Sequence, residues 1–205
     1  MQLYRMKAEF EGKNRMKEFL EDNYVCFGWH GIGDLEKLDM AGLAAKLAEA
    51  FGPAGLPERE WSRRFEELSL FAYGMRDGDY VIVDDGMRIH LGDVGDYYYL
   101  DLFDNAEDGS CHRRGVTWLR SLLRDDLHPE LLAFLEQDGE IGSFGRSVTE
   151  QELERLLAKP ALSRQGLIDE ETLREALDIL KAAMRSEDPE RRERAAIAIL
   201  QAARL

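Results

Sequence analysis

The alternation of apolar and polar positions is strongest between Gly78 and Trp118, and it predicts a β-sheet. Val, Ile and aromatic residues fill the strand positions, and glycines supply turns or bulges at positions 78, 86, 92, 95 and 109. Asp85-Gly86 lies between two apolar runs and predicts a hairpin with a type I′ turn, because both central residues of such a turn need positive φ. The candidate strands are DYVIV (79–83), RIHLGDV (88–94), YYYLDLF (97–103) and HRRGVTW (112–118).

Before this sheet, some apolar residues recur with the two-residue period of a strand and others with the 3.6-residue period of a helix. A glycine-rich turn from His30 to Leu35 follows a strand that ends at Trp29. The predicted elements are a strand at Leu3–Phe10, a helix at Lys13–Asp22, a strand at Tyr24–Trp29, a helix at Met40–Phe51 and a helix from Pro57 to Ala72 or Met75.

The chain after the sheet changes character at Gly145. A helix at Glu130–Gln137 and a short strand at Ile141–Phe144 are predicted first. The following helices are predicted at 149–158, 169–185 and 188–204, and Thr149 and Glu152 have capping-box spacing at the start of the first. We therefore expect a domain at 1–145 and a three-helix tail at 146–205, which packs on the domain or serves association.

Charge is distributed unevenly along the 205 residues, whose formal net charge is −14. Residues 146–205 hold 11 basic and 12 acidic residues, so 16 of the 27 basic and 29 of the 41 acidic residues belong to residues 1–145. A net charge of −13 on that part opposes broad binding to a phosphate backbone. A small, locally basic cleft is still compatible with this distribution.

The start of the chain is charged and lacks the apolar core of a signal peptide, and no apolar run of about 18 residues exists. Cys26 and Cys111 are too few for a disulfide framework or a four-ligand zinc site. These features predict a cytoplasmic protein with reduced cysteines, which does not enter the membrane.

Candidate catalytic groups do not form a recognisable constellation. No two histidines have HxH or HxxxH spacing, and there is no acid–acid–lysine pattern of a nuclease. Asp84-Asp85 and Asp125-Asp126 are carboxylate pairs of the kind that turns usually leave solvated. The sequence therefore predicts a protein without catalytic residues, metal or cofactor. The four histidines are His30, His90, His112 and His128.

The glycine-rich turn does not match a phosphate-binding loop. Gly31 and Gly33 lack both the GxxxxGK[ST] pattern and the third glycine of the dinucleotide fingerprint. Trp29, at the end of the preceding strand, is either an aromatic cap of the core or a stacking wall for a planar ligand.

Several short motifs in the first 145 residues resemble a PUA-like/EVE-type domain associated with restriction endonucleases. The resemblance lies in their order and spacing, although His30 stands where relatives often have proline. The motifs are Gly28-Trp29, Gly33-Asp34-Leu35, Gly78-Asp79, Gly95-Asp96-Tyr97-Tyr98-Tyr99 and His112-Arg113-Arg114-x-Val116-x-Trp118.

This resemblance implies an α+β fold: a strongly bent PUA-like β-barrel with flanking helices, followed here by the small C-terminal helical appendage. It also implies binding of nucleic acid through a modified or flipped base, held by aromatic walls and hydrogen bonds to its edge. The base-binding residues that it implies are Trp29, Gly31, Gly33, Asp34, Tyr97, Tyr98, Tyr99, His112, Arg113, Arg114 and Trp118.

Two classes of function remain open. The first is a non-catalytic reader of a modified or flipped base in a restriction or phage-defence system, with a possible protein partner at the C-terminal helices. The second is an acidic protein–protein adaptor or regulator, in the extreme a DNA-mimicking inhibitor. A reader needs Arg113, Arg114 and neighbouring Lys or Arg residues around an aromatic cleft, whereas an adaptor would have a flat acidic or apolar face instead.

Overall fold

A computed structural model of the protein describes residues 1–10, 12–51, 57–159, 170–186 and 188–202. The chain forms two compact units, Met1–Lys159 and Pro160–Leu205. The first unit contains a strongly curled six-stranded sheet with helices around it, which confirms the α+β class. None of the helices in these described ranges is both long and apolar enough to cross a membrane.

The first unit contains eight strands and five α-helices within its described residues. The strands are β1 (Leu3–Lys7), β2 (Glu9–Phe10), β3 (Lys13–Asn14), β4 (Tyr24–Cys26), β5 (Asp79–Asp84), β6 (Arg88–Tyr99), β7 (His112–Leu123) and β8 (Ile141–Ser143). The helices are α1 (Met16–Asp22), α2 (Met40–Phe51), α3 (Glu58–Ser69), α4 (Pro129–Leu135) and α5 (Glu150–Leu156).

The large sheet has the strand order β4-β7-β6-β5-β1-β8, and β2 and β3 form a separate hairpin. Its neighbouring strands are antiparallel except for β1 and β5, which run parallel with Leu3 opposite Tyr80 and Lys7 opposite Asp84. The N-terminal strand is therefore an internal strand of the sheet.

Strands β6 and β7 are the longest in the sheet and account for its curl. The two strands predicted at 88–94 and 97–103 are instead one strand, β6, followed by a 3₁₀ turn at Asp101–Phe103. The division into two strands was wrong because Gly92 and Gly95, for which turns or bulges were predicted, lie at register shifts against β7. Such irregularities bend a strand without ending it.

The hairpin between β5 and β6 is confirmed, but its turn is not type I′. Gly86 has a φ of +93°, whereas Asp85 keeps a negative φ. The Asp85 carboxylate accepts hydrogen bonds from the backbone amides of Met87 (2.9 Å) and Arg88 (2.6 Å), and these bonds close the turn.

Apolar side chains cover both faces of the sheet. Alternate residues of β1 and β5 point to opposite faces, so Tyr4 and Val81 enter one core and Leu3 and Ile82 enter the other. The first core also contains Phe19 of α1, Leu43 and Leu47 of α2 and Leu68 of α3. The second contains Leu131 and Phe134 of α4 and Leu153 and Leu156 of α5.

The first compact unit extends beyond residue 145, the boundary proposed from the sequence. Helix α5 belongs to this unit, because Leu153 and Leu156 pack in the same core as Leu127 and Leu131. The Thr149 hydroxyl accepts a hydrogen bond from the Glu152 amide at 3.2 Å and caps the helix.

Three N-terminal elements differ from their predicted bounds. The strand predicted at Tyr24–Trp29 ends at Cys26. The strand predicted at Leu3–Phe10 is divided into β1 and β2, and the helix predicted from Lys13 begins at Met16. The Asn14 side chain accepts a hydrogen bond from the Met16 amide at 3.0 Å, which favours a turn before the helix. Both cysteines are free and buried, and burial raises the pKa of each thiol to about 12.

The second unit contains two helices in its described part, α6 (Glu170–Ala183) and α7 (Pro189–Ala202), which pack against each other. They match the helices predicted at 169–185 and 188–204, whose outermost residues 169, 203 and 204 lie outside the described residues.

Arg114 of β7 fixes the end of α3 to the sheet. Helix α3 is followed by a single π-helical turn at Leu70–Gly74. The buried Arg114 guanidinium donates hydrogen bonds to the carbonyls of Phe71 (2.7 Å) and Ala72 (3.0 Å) in this turn, and to the Gly95 carbonyl of β6 (3.0 Å). These contacts satisfy carbonyls that would otherwise be buried without a donor.

We expect Arg114→Ala to lower the free energy of unfolding by about 3 kcal/mol or more, because three buried carbonyls lose a charged donor. Urea unfolding measures this change. Arg114→Lys, which keeps the charge but not the planar fork, should cost less. Arg88→Ala, at an exposed position of β6, is the control and should change stability by less than about 0.5 kcal/mol. Equal stabilities of Arg114→Ala and the control would contradict this account.

Candidate functional site

His112, at the start of β7, connects the glycine-rich turn to the sheet. Its Nε2 lies 3.3 Å from the Trp29 carbonyl, and its Nδ1 lies 2.9 Å from the Tyr97 hydroxyl. A carbonyl only accepts, so Nε2 carries the proton and the neutral ring accepts from Tyr97 at Nδ1. The Tyr97 oxygen in turn accepts a hydrogen bond from the Leu35 amide at 3.2 Å. This chain holds both ends of the turn.

Burial keeps His112 neutral. The side chain is almost fully buried, and this desolvation lowers its pKa to about 4, against weaker opposing effects of the Trp29 carbonyl and of Asp104 and Asp34. Burial likewise raises the pKa of Tyr97. Both groups therefore act as fixed hydrogen-bond partners at neutral pH rather than as an acid and a base.

Tyr99 and Asp104 form a second connection to the same turn. The Tyr99 hydroxyl donates to one carboxylate oxygen of Asp104 at 2.5 Å, and the other carboxylate oxygen accepts from the Gly31 amide. Partial burial opposes ionisation of Asp104, but these two hydrogen bonds prevail and hold its pKa below the usual value. Tyr97 thus binds the Leu35 end of the turn, and Tyr99 binds the Gly31 end through Asp104. Both tyrosines are on the same face of β6.

Trp29 is the centre of an aromatic cluster. Its ring is 5% exposed and contacts the rings of Phe10 (5.4 Å), Phe27 (5.6 Å) and Phe51 (5.4 Å). The Arg64 guanidinium lies 4.7 Å from the centroids of both the Trp29 and the Phe51 ring. Trp29 Nε1 is buried and has no hydrogen-bond partner in the described part of the chain.

A small cavity of about 100 Å³ adjoins this cluster through Phe10. Three of its lining side chains, Lys13, Arg15 and His30, carry or can carry positive charge. Arg15 is paired with Glu18 at 2.7 Å and Asp108 at 3.4 Å, whereas Lys13 donates to backbone carbonyls of Glu107 and Asp108. The other lining residues are Ala106, Asp108 and Gly109.

Arg113 and Arg114 do not share a site. Arg113 lies between two rings, 4.0 Å from the centroid of Tyr24 and 4.3 Å from that of Phe103, and donates to the Ser110 carbonyl and hydroxyl at 2.7 Å each. Arg114 points to the opposite side of β7 and binds three backbone carbonyls. The basic pair in the sequence is thus divided between two structural roles.

The structure brings Trp29, Gly31, Tyr97, Tyr99 and His112 of the predicted set together. Gly31 and Gly33 both have a φ of +82°, which only glycine adopts readily, and they shape the turn between Trp29 and Leu35.

Three other predicted residues make different contacts. Asp34 caps a short 3₁₀ turn and pairs with Lys37 at 3.0 Å. Tyr98 is on the outer face of β6, and Trp118 donates from Nε1 to the Phe19 carbonyl at 2.8 Å.

The sequence did not identify the residues that contact Trp29, line the adjoining cavity or bind Gly31, which include Phe10, Lys13, Phe51, Arg64 and Asp104. They come from three separate parts of the chain, and no local spacing links them. Within the described residues, no three His, Cys, Asp or Glu side chains are grouped closely enough to hold a metal ion.

The fold and this buried network define an α+β domain in which a glycine-rich turn is fixed over a curled sheet. Residues 4–134 match a protein family described as a domain of unknown function, DUF8426, and because the match covers more than half of the chain, the protein belongs to this family. Searches of curated proteins and of solved structures gave no match.

Stability should fall as the pH drops from about 6.5 to about 4. His112 has a lower pKa in the folded state, so over this range the unfolded chain binds one more proton than the folded protein does. One proton over this interval corresponds to roughly 3 kcal/mol. Urea unfolding at several pH values measures the effect, and His112→Gln should reduce the slope. An NMR titration midpoint of His112 near 6.5 would contradict this explanation.

Proposed function

We propose that the first unit carries a nucleic-acid recognition site of the PUA-like type at the Trp29 cluster, which binds a modified or flipped base without catalysing a reaction on it. A phosphate next to this base would occupy the neighbouring cavity. The main support for this proposal is that the cavity adjoins the Trp29 cluster, because Phe10 both lines the cavity and contacts the Trp29 ring. Such a module would supply recognition to a restriction or phage-defence system.

The indole of Trp29 supports the base-binding half of this proposal. A buried N–H without an acceptor costs free energy, and native proteins rarely retain one without a reason. Carbonyl oxygens and ring nitrogens on a base edge are suitable acceptors. A base would reach the indole by displacing Arg64, whose guanidinium covers the ring and is held by Glu60 at 3.0 Å.

The cavity supports the phosphate-binding half. Its volume is well below the 300–1,000 Å³ that is typical of pockets for whole small molecules. It suits a single charged group, and Lys13 is the exposed cation at its rim. Local cations of this kind allow an acidic protein to bind nucleic acid at one place while its net charge opposes binding elsewhere.

The second unit favours an alternative, the protein–protein adaptor. Helix α6 and the residue that follows it expose large apolar side chains, with Leu177 at 43%, Ile179 at 66% and Met184 at 45%. Exposed apolar side chains on one helix are a common basis for association with another protein. The adaptor alternative predicts no binding of oligonucleotides by the full chain at any salt concentration.

The test is a salt-titrated binding assay of the full chain with single-stranded and duplex oligonucleotides, either unmodified or carrying 5-methyl- or 5-hydroxymethylcytosine. Lys13→Ala should weaken binding to all sequences and reduce the slope of log K against log salt by about 1, since one phosphate contact is lost. Lys46→Ala makes the same charge change on α2 and serves as the control.

Trp29→Phe tests the base contact, because it keeps an aromatic ring and removes the indole N–H. We expect a loss of about 3- to 10-fold in affinity for the preferred base, as for one hydrogen bond, with an unchanged salt slope. Trp61→Phe, in the separate ring pair with Phe65, is the matched control. No binding by the wild-type protein even at low salt would overturn the proposal and favour the adaptor.

A further inference from the structure

Three side chains are linked by hydrogen bonds between β7, β6 and the turn that joins β5 to β6. They are distant in sequence from Trp29. Ser121 of β7 lies directly opposite His90 of β6, and its hydroxyl is 2.7 Å from His90 Nδ1. His90 Nε2 is 3.2 Å from a carboxylate oxygen of Asp85 in the hairpin turn. Serine, imidazole and carboxylate are therefore connected in series.

The carboxylate defines the direction of these hydrogen bonds. Partial burial opposes ionisation of Asp85, but hydrogen bonds from the Arg88 and Met87 amides and from His90 outweigh it and hold its pKa below the usual value. An ionised carboxylate only accepts, so His90 carries its proton on Nε2. Nδ1 of the neutral ring is then free to accept the proton of the Ser121 hydroxyl.

His90 and Ser121 differ in their exposure to solvent, and this difference suits different chemical roles. His90 is 5% exposed and its ring packs edge-on against Trp118 at 6.3 Å, which fixes its orientation. Ser121 is exposed. A shielded base next to an accessible hydroxyl is the arrangement that activates a serine nucleophile.

We propose that Ser121 is the nucleophile of a hydrolytic site, with His90 as its general base and Asp85 as a positioning residue, and that the site acts on carboxylic esters with a small apolar acyl group. Ser121 Oγ attacks the ester carbonyl while its proton passes to His90 Nδ1. The ester C–O bond then breaks, and His90 returns the proton to the leaving alcohol. Water, activated in the same way, releases the acid and regenerates Ser121.

Charge and exposed apolar side chains favour this substrate class. The negative field of residues 1–145 disfavours anionic substrates such as phosphate esters. Leu123 lies two residues beyond Ser121 and therefore on the same face of β7, and it is 44% exposed. Met87, which is 72% exposed, belongs to the adjoining turn. The Met87 carbonyl accepts a hydrogen bond from the Arg124 amide at 3.1 Å. These two side chains can accommodate an acyl chain.

The first experiment treats the full chain with a fluorophosphonate probe and identifies the labelled peptide by mass spectrometry. In this reaction Ser121 Oγ bonds to phosphorus, fluoride leaves and His90 takes the proton. Labelling requires only an activated nucleophile, whereas turnover also requires stabilisation of the oxyanion. Hydrolysis of p-nitrophenyl acetate and butyrate is therefore the second measurement.

We expect labelling of Ser121 that Ser121→Ala abolishes and that Ser143→Ala leaves unchanged. Ser143 is an exposed serine of β8 and serves as the control. Absence of label at Ser121, or equal labelling of the Ser121→Ala variant, would overturn the proposal. Because Ser121→Ala also removes the hydrogen bond to the buried His90 ring, circular dichroism of both variants verifies that each is folded before labelling.

Asp85→Asn separates positioning from mere structural support. The amide oxygen can still accept from the Met87 and Arg88 amides, but its NH₂ group would donate to His90 Nε2 and move the ring proton to Nδ1. His90 could then no longer accept from Ser121, and we expect labelling to slow by about 100-fold or more. The ¹⁵N shifts of His90 should show the exchanged tautomer in a folded protein. An exchanged tautomer with an unchanged labelling rate would contradict the role of His90.

Discussion

The structure depends on β7 supplying hydrogen-bond donors to segments that lack regular backbone pairing. His112 donates to the Trp29 carbonyl, three residues beyond the end of β4, and Arg114, two residues later on the same face, donates to the π-helical turn after α3. Buried carbonyls outside helices and sheets need such partners. One strand thus fixes both the glycine-rich turn and the end of α3 to the curled sheet. The candidate site and the overall fold therefore depend on side chains of the same strand, β7.

Much of the fold could be predicted from the sequence because its information is local. Period-two alternation located β5 and β7, and the apolar stripe of α3 located the helix that covers the sheet. Local patterns could not show that Gly92 and Gly95 bend a continuous strand, since a glycine in a turn and a glycine in a bulge have the same sequence signature. The extent of the first unit also depended on long-range packing, in that α5 shares a core with α4.

The candidate site was less predictable than the fold. His112 and Arg114 were singled out as base-binding residues, whereas in the structure both donate hydrogen bonds to backbone carbonyls. The sequence gives no sign of which group a buried donor will meet. The sequence separation of Arg113 from Tyr24 and from Phe103 does not predict that its guanidinium lies between their two rings. His90 and Ser121 are 31 residues apart and meet only through the register of β6 and β7. Contacts of this kind follow from strand pairing, not from motif spacing.

The internal position of β1 has a consequence for how the protein folds during synthesis. Its two sheet neighbours are β5 and β8, which leave the ribosome some 75 and 137 residues after it. Until then its apolar residues and both of its edges are unpaired, which is the state in which strands associate with other chains. Closing such long loops is slow compared with forming a hairpin. The order of synthesis therefore leaves β1 without one or both of its sheet neighbours while most of the first unit is made, although in the finished protein it lies inside the sheet.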